Sequence, residues 1–404
     1  YHTHIIGKWH QDHASLGRSF DSGSSLMGLG TYLTDHYRMP LWDWSDTGGY
    51  HRENAYLLEY GDQGRVVRRS LTSADQRGPI GTEALSPHTS EIFADDAVEF
   101  INSANRDEPY FMYLAFHAPH DPRQAPAQYK ALYPEDEVVL PPSYASQHPF
   151  DNGHMVLRDE QLAAWPRTPQ IARKELSDYY AIITHLDAQI GRVIAALKAS
   201  GNYQNTIIVM AGDSGLAVGN HGLLGKQSVY DEDGVHIPLI FAGGALPAIG
   251  RRSDGFAYIQ DIYPTLGELA GVPIPASVQG SSLAPIIRGK TMAVRDHTYH
   301  AYLHYQRAYR KGDYKLIEYV RAPGRDRIYG DAIRGSRVTQ LFNISEDPWE
   351  THDLSGYPEH SDLLARLRRE MRQAARYYGD EGDQLIEYPF DFWDFYSADN
   401  PPLL

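Results

Sequence analysis

The sequence predicts an α/β fold: a central mixed, mostly parallel sheet flanked by helices, plus a smaller C-terminal α+β domain with an antiparallel sheet. Over residues 1–289, short apolar runs typical of buried strands alternate with longer stretches of helical periodicity. Over residues 290–404, several strand-like segments precede a single helix. The 404 residues provide ample material for a large core and a second unit. We therefore expect domains at residues 1–289 and 290–404.

The predicted elements of the larger domain alternate as crossover connections require. A helix over residues 89–103 carries an apolar stripe, and residues 110–116 form a near-continuous apolar run, predicted as a strand buried on both faces. A long amphipathic helix covers residues 174–200. Two further buried strands are predicted at residues 206–211 and 238–242. These strands are expected to form the central sheet.

The smaller domain and one long segment have sequence patterns that differ from the alternating strands and helices of the larger domain. Strands are predicted over residues 298–305, 314–320 and 338–343, followed by a helix over residues 362–378. Residues 124–169 are rich in Pro, Tyr, His and Asp and show little periodicity. So long an irregular segment in a compact domain is usually functional or mobile.

Composition excludes several classes of protein. A net charge of −15 argues against nucleic acid as a partner, because proteins that bind phosphate backbones usually carry a basic face. No stretch approaches the roughly 18 uninterrupted apolar residues of a membrane helix, so no membrane partner is expected. With no cysteine, the chain has no disulfide, thiolate metal site or thiol nucleophile. No signal peptide is visible, and because the chain opens on Tyr1 we expect the natural start to lie upstream.

Two polar motifs follow predicted strands, where ligands bind in α/β proteins. Residues 7–10 (Gly-Lys-Trp-His) come directly after an apolar pair and combine a cation, an aromatic ring and an imidazole, so we expect an anionic guest. Residues 117–122 (His-Ala-Pro-His-Asp-Pro) follow the strand predicted at residues 110–116. Their prolines hold His117 and His120 in a restricted loop that can present imidazoles to an oxyanion or a metal.

A third motif follows the strand that ends at Ala211, which is expected to be a parallel strand. Asp213 and Ser214 lie between glycines, where small neighbours allow close approach to a hard cation. A glycine-rich loop then carries His221 and Lys226, which its flexibility could bring into one pocket. The alternative for Lys226 is a solvated surface charge.

The order of these motifs resembles the sulfatase family of the alkaline phosphatase superfamily. Each motif alone is weak, but their collinear order from residue 7 to about residue 354 is strong. The segments that carry the resemblance are residues 7–10, 117–122, 185–192 (His-Leu-Asp-Ala-Gln-Ile-Gly-Arg), 205–206, 213–215, 221–226, 237–240, 261–266, 340–343 and 347–350.

The resemblance implies roles for the motif residues. Lys8, His10, His120 and Lys226 correspond to side chains that bind the sulfate and handle the leaving group. Lysines and imidazoles suit this chemistry, since charge develops on the equatorial and leaving oxygens of a sulfate ester. Whether His10 or His120 protonates the departing oxygen stays open.

The resemblance also implies further contacts to ligands. Asp213 corresponds to a ligand of a single calcium ion. His117 and His221 are further candidates for substrate contact. Trp42, in an aromatic cluster with Trp44 and Tyr50, could stack on sugar rings, and the alternative for that cluster is ordinary packing.

Two departures from the family pattern bear on activity. Ser214 stands where the family usually has Asn or His, which puts its role as a metal ligand in doubt. The family's first pair of metal-binding Asp residues and its nucleophile, a Cys or Ser matured to formylglycine, precede the Gly-Lys-Trp-His motif, and no matching segment is present. We therefore expect the chain to be an N-terminally truncated fragment that is inactive alone and binds calcium weakly.

The leading functional hypothesis is a sulfuric ester hydrolase that, in full-length form, acts on a sulfated carbohydrate or another small sulfate ester. One alternative is a phosphodiesterase or phosphonate monoester hydrolase of the same superfamily. The other is a non-catalytic homologue that kept the anion pocket. Family habit suggests a periplasmic or secreted protein, while the sequence leaves the oligomeric state open.

Overall fold

A computed structural model describes most of the chain. The described residues are 1–28, 35–47, 54–72, 75, 83–104, 108–153, 155, 157–226, 228–247, 250–303, 305–321, 336–380 and 392–395. They form two compact units: unit 1 is Tyr1–Val139 with Arg173–Thr206, and unit 2 is Leu140–Ala172 with Ile207–Leu404. This division follows spatial proximity, and the domain boundary near residue 289 stays a prediction.

Strands and helices lie close to the positions that periodicity predicts. The described strands are β1 (His2–Lys8), β2 (Ser22–Met27), β3 (Tyr56–Tyr60), β4 (Val66–Ser70), β5 (Tyr110–Ala115), β6 (Ile208–Ala211), β7 (Leu239–Ala242), β8 (His297–Tyr302), β9 (Gln306–Lys311), β10 (Tyr314–Arg321) and β11 (Ser336–Asn343). The described helices are α1 (His13–Ser19), α2 (Thr89–Ser103), α3 (Ala127–Lys130), α4 (Pro169–Ala199), α5 (Ile262–Ala270), α6 (Ala284–Ile287), α7 (Ser361–Tyr377) and α8 (Phe392–Phe395). Among the described residues, no helix is long and apolar enough to cross a membrane.

Unit 1 contains a parallel sheet of the order β2-β1-β5. In the register of β1 and β5, His2 lies opposite Tyr110 and Gly7 opposite Ala115. Both strands therefore end at the same edge of the sheet, and the loops that follow them leave from neighbouring positions. Ile5 is fully buried against α1 and β2, which anchors β1 in the hydrophobic core of unit 1.

Strand β5 is not buried on both faces, so this part of the sequence prediction is wrong. Phe111 and Tyr113 are 40% and 44% exposed, whereas their neighbours Met112 and Leu114 are half-buried. Because side chains alternate between the two faces of a strand, the face of β5 that carries Phe111 and Tyr113 is only partly covered. An apolar run in the sequence does not reveal which of its faces has packing partners.

The strands of unit 2 pair in antiparallel fashion. The paired strands β6 and β7 match Ile208 with Ala242 and Ala211 with Leu239, which corrects the expectation that Asp213 follows a parallel strand. Strands β8 to β11 form a four-stranded antiparallel sheet, as predicted for the C-terminal region. Helix α7 lays Leu367 and other apolar side chains on this sheet. The predicted antiparallel sheet with one packed helix is confirmed.

Candidate active site

The Gly-Lys-Trp-His motif is a tight turn at the carboxyl end of β1. Gly7 has φ +89°, and a Cβ atom there would lie 2.3 Å from the carbonyl oxygen of Ala115, so only glycine fits. The Trp9 N–H donates to the Met27 carbonyl at 2.9 Å and ties the turn to β2. Lys8 is half-buried and His10 is exposed. The turn thus carries a cation and an imidazole at the edge of the sheet where ligands bind.

The loop over residues 117–122 leaves the same edge from β5. His120 is half-buried, and its Nδ1–H donates to the Asp121 carbonyl oxygen at 2.8 Å, since a carbonyl can only accept. The neutral His120 ring therefore carries its lone pair on Nε2. His117 is only 3% exposed, and its ring stacks on that of His120 with 5.0 Å between centroids. This burial favours a supporting role for His117 over substrate contact.

Behind this loop lies a histidine stack made of His36, His88, His117, His120 and His185. The ring of His36 lies parallel to that of His88 at 4.7 Å and 4.5 Å from that of His117, while His88 meets His185 edge to face at 4.5 Å. Burial lowers the pKa of His36 to about 4 and that of His88 well below its usual value, so both rings are neutral at pH 7. Two members, His36 and His88, are absent from the sequence motifs, because their proximity to the other rings arises only in the fold.

In unit 2, Asp213 and Ser214 are exposed just after β6. Calcium takes six to eight oxygen ligands, and several carboxylates usually contribute to its site. Within the described ranges, no group of three or more His, Asp or Glu side chains could hold a metal ion. The described residues therefore do not fit a calcium site on their own, and the ligand roles of Asp213 and Ser214 stay predictions.

The loop that carries His221 and Lys226 folds back on itself after β6. The N–H groups of Ala217 and Gly219 donate to the carbonyls of Gly225 and Leu223 at 2.8 and 2.7 Å. Lys226 is half-buried at the end of this loop.

A buried carboxylate holds the same loop. Glu160 accepts hydrogen bonds from the N–H of Leu224 at 3.1 Å and of Gly225 at 2.8 Å. The fully buried Arg167 guanidinium lies 3.0 Å from the Glu160 carboxylate and balances its charge. Both residues belong to the irregular segment 124–169. Part of that segment therefore shapes the Lys226 loop, a role that its lack of periodicity could not reveal.

His221 lies within the same loop, but its ring is engaged in packing. The imidazole stacks on Tyr230 with 3.7 Å between centroids and a 10° angle between planes. Burial lowers the pKa of His221 to about 3, so the ring is uncharged at neutral pH. A cationic contact to an anionic substrate is therefore not supported for His221, and its role as a neutral donor stays a prediction.

Trp42 lies in the hydrophobic core of unit 1 rather than on a surface. Its side chain is 7% exposed and packs in a cluster with Leu16 and Leu26, and its backbone exchanges two hydrogen bonds with Leu26. Trp44 is half-buried against the same cluster, and Tyr50 lies outside the described residues. The structure favours packing over sugar stacking for Trp42, because a buried indole presents no open face.

The predicted site residues fall into two groups, one in each unit. Unit 1 brings the Lys8 turn and the His120 loop to one edge of its sheet. Unit 2 carries Asp213, Ser214 and the Lys226 loop after β6. The first group offers a cation and imidazoles. Such groups stabilise the negative charge that develops when an anionic ester is hydrolysed.

Comparison with known proteins identifies the fold and then the family. A structure solved in complex with its substrate, D-glucosamine-2-N,6-O-disulfate, has a TM-score of 0.68 at 19% identity and covers 94% of this chain and 80% of its own. The phosphonate monoester hydrolase of Agrobacterium radiobacter has a TM-score of 0.59 at 18% identity, covering 74% and 64%. The fold is therefore alkaline-phosphatase-like, as predicted.

The family follows from sequence models. Residues 1–272 match the sulfatase family model, and residues 219–377 match the model of the C-terminal region of N-sulphoglucosamine sulphohydrolase. The chain belongs to the sulfatase family. A sulfatase of Formosa agariphila is 28% identical over 338 residues, which make up 82% of this chain and 62% of that protein. The chain thus spans somewhat less than two thirds of the length of this relative.

Proposed function

We propose that this chain is part of a sulfuric ester hydrolase that removes sulfate from a sulfated carbohydrate or another small sulfate ester. The observation that carries the proposal is the meeting of the Lys8 turn and the His120 loop at one sheet edge, in a chain whose family is sulfatase. Lys8 would bind the sulfate group, and His10 or His120 would protonate the leaving oxygen. Lys226 would add a second cation.

The nucleophile is proposed to be a formylglycine supplied from outside these 404 residues. The sequence holds no cysteine and no matching Ser-x-Pro/Ala-x-Arg segment from which formylglycine could be made. The calcium ion is proposed to join Asp213 to further ligands from outside these 404 residues. Export to the periplasm or the medium belongs to the same proposal, and cell fractionation of the source organism tests it.

Sulfate release from an activated aryl sulfate tests the proposed function. We expect no turnover by the 404-residue chain and robust turnover by a longer chain that contains the formylglycine motif. In the longer enzyme, Lys8→Gln should lower kcat/KM by about 100-fold or more, since it removes a charge that stabilises the transition state. The matched change Lys198→Gln, at an exposed helix position, should leave the rate unchanged.

Three results would contradict this proposal. Turnover by the 404-residue chain would show that the nucleophile lies within it. Failure of the longer enzyme to release sulfate, together with hydrolysis of a phosphonate or phosphate ester, would favour the alternative that the Agrobacterium radiobacter structure supports. A longer chain without any formylglycine motif would favour the non-catalytic homologue.

Calcium binding provides a separate test. Because the described residues gather fewer than three candidate ligands at any point, calorimetric titration of the 404-residue chain with Ca²⁺ should show weak binding. The longer enzyme should bind much more tightly, and Asp213→Asn should weaken that binding. Tight binding by the shorter chain would contradict the proposed division of the ligands.

A further inference from the structure

We propose that His36 is a positioning residue for His120, holding the main chain of the 117–122 loop so that the His120 ring keeps its proton on Nδ1 and its lone pair on Nε2. The proposal rests on the proposed function for the role of His120 at the sulfate ester. His36 belongs to none of the motifs that carry the family resemblance, and it lies more than 80 residues from His120 in the sequence.

The first argument is the hydrogen bonding of the His36 ring. Its Nε2 lies 2.9 Å from the main-chain oxygen of His120, and because that oxygen can only accept, Nε2 carries the proton. Its Nδ1 lies 2.9 Å from the Thr89 hydroxyl, which must then donate to it. Both ring nitrogens are occupied, and the side chain is fully buried. The ring therefore has one orientation and one tautomer.

The second argument is that His36 also holds the chain just after the 117–122 loop, at Gln124. The His36 N–H donates to the side-chain oxygen of Gln124 at 2.9 Å. His88, stacked on His36, donates its Nε2–H to the Gln124 carbonyl at 3.1 Å and accepts the Ser90 N–H on Nδ1. Positions 120 and 124 are thus fastened to one stacked pair of rings at the start of α2. A loop held at two points keeps its side chains in fixed directions.

The consequence concerns the working nitrogen of His120. With Nδ1–H directed at the Asp121 carbonyl, the neutral ring can accept or transfer a proton only through Nε2. His117 stacks between the rings of His36 and His120, at 4.5 and 5.0 Å, and limits rotation of the His120 ring. Loss of the bond from His36 should release the His120 carbonyl and with it the preference for the Nδ1–H tautomer.

The test compares two amides of different length in the 404-residue chain. The side-chain nitrogen of Gln in His36→Gln can reach the place of the imidazole Nε2 and donate to the His120 carbonyl. The shorter side chain in His36→Asn reaches only the place of Nδ1. Imidazole ¹⁵N NMR should report His120 as the Nδ1–H tautomer in the wild type and largely so in His36→Gln. In His36→Asn it should shift towards the Nε2–H form that free histidine prefers.

Controls separate positioning from folding. His4→Asn makes the same change at another buried histidine of unit 1, stacked on Phe100, and should leave the His120 signals unchanged. If His36→Asn does not fold, Thr89→Val decides instead: it removes the donor to Nδ1 without changing size, and a smaller shift of the His120 tautomer in the same direction is expected. The proposal is overturned if His120 is in the Nε2–H form in the wild type, or if neither His36→Asn nor Thr89→Val changes the His120 tautomer.

The longer enzyme adds a kinetic measurement. His36→Asn should lower kcat about 10- to 100-fold with little change in KM, because it displaces the His120 Nε2 that takes up a proton and passes it to the leaving oxygen, which slows the chemical step more than binding. His36→Gln should recover most of the loss, and equal losses in both variants would count against positioning. A longer wild-type enzyme that releases no sulfate defeats the proposed function, whereas the NMR result on the 404-residue chain still decides the role of His36.

Discussion

Lys315 is the residue whose removal should cost unit 2 the most. Its ammonium group is fully buried on β10 and lies 2.6 Å from the Asp231 carboxylate and 2.8 Å from that of Glu350. Burial opposes ionisation of Asp231, yet Lys315 and Arg310 hold its pKa below the usual range. Burial raises the pKa of Glu350 to about 7. The cluster is balanced only while the lysine is present.

Lys315→Met should therefore destabilise the protein by about 3–5 kcal/mol, since it leaves the buried Glu350 without a cation and Asp231 with Arg310 alone. The matched change Lys311→Met, at a lysine that is 42% exposed and 3.2 Å from Asp296, should cost less than about 1 kcal/mol. Urea unfolding followed by circular dichroism measures both. Equal, small shifts of the midpoint would show that the buried cluster contributes little.

At the scale of elements, the Lys226 loop depends on Glu160. This carboxylate accepts two loop N–H groups and neutralises Arg167, three interactions that an amide cannot all replace. Glu160→Gln leaves the buried guanidinium without its counter-ion, so the loop should open more often.

Hydrogen exchange of the Leu224 and Gly225 amides measures this opening. Their exchange in Glu160→Gln should be about 10-fold faster or more, a factor that corresponds to about 1.4 kcal/mol. The matched change Glu137→Gln, at an exposed position, should leave both amides as protected as in the wild type. Unchanged protection of both amides in Glu160→Gln would show that this carboxylate does not hold the loop closed.

Hydrophobic periodicity predicts those helices and strands whose positions are determined by neighbouring residues in the sequence. Helix α2 spans Thr89–Ser103 as its apolar stripe predicts, and β10 and α7 begin within one residue of their predicted positions. Strand direction is not a local property, which is why the pairing of β6 was predicted wrongly. Strand β4 was missed because most of its side chains are exposed.

The residues of the candidate site also divide into those that the sequence predicts and those that only the fold reveals. Motif order predicts Lys8 and His120 near one sheet edge, because the carboxyl ends of neighbouring parallel strands coincide. The supporting residues His36 and Glu160 lie far along the chain from what they hold, and single histidines or carboxylates carry no signal of a partner 84 or 64 residues away. Trp42 was left between sugar stacking and packing for a related reason, since an aromatic residue in the sequence does not reveal whether its ring is buried or open.

For the whole molecule, buried histidines should make stability sensitive to mild acid. Burial lowers the pKa values of six described histidines, to between about 3 and 4 where a value is resolved: His4, His36, His88, His148, His221 and His300. Between the unfolded value of 6.5 and about 4, the unfolded chain binds more protons than the folded one. Stability therefore falls as the pH falls through this window, by up to ~1.4 kcal/mol per pH unit for each group.

Three described carboxyl groups oppose this trend, because burial raises the pKa values of Asp96, Asp233 and Glu350. Burial raises the pKa values of Asp233 and Glu350 to about 7, so these groups favour the folded state as the pH falls towards 4.5. Because the histidines outnumber them, the melting temperature should still drop steeply from pH 6.5 to 4.5. His36→Gln should flatten the profile, whereas His236→Asn, at a side chain that is 70% exposed, should not. A melting temperature constant over this range would contradict the linkage.

Strand β5 has a practical consequence for the isolated chain. Within the described residues it pairs with β1 on one side and with no strand on the other, and the side chains of Phe111 and Tyr113 are 40% and 44% exposed. Unpaired peptide groups beside exposed aromatic rings form a template on which a strand from a neighbouring molecule can add. Concentrated preparations should therefore be prone to aggregate through this edge, and a charged residue at position 111 is the change that would keep them in solution.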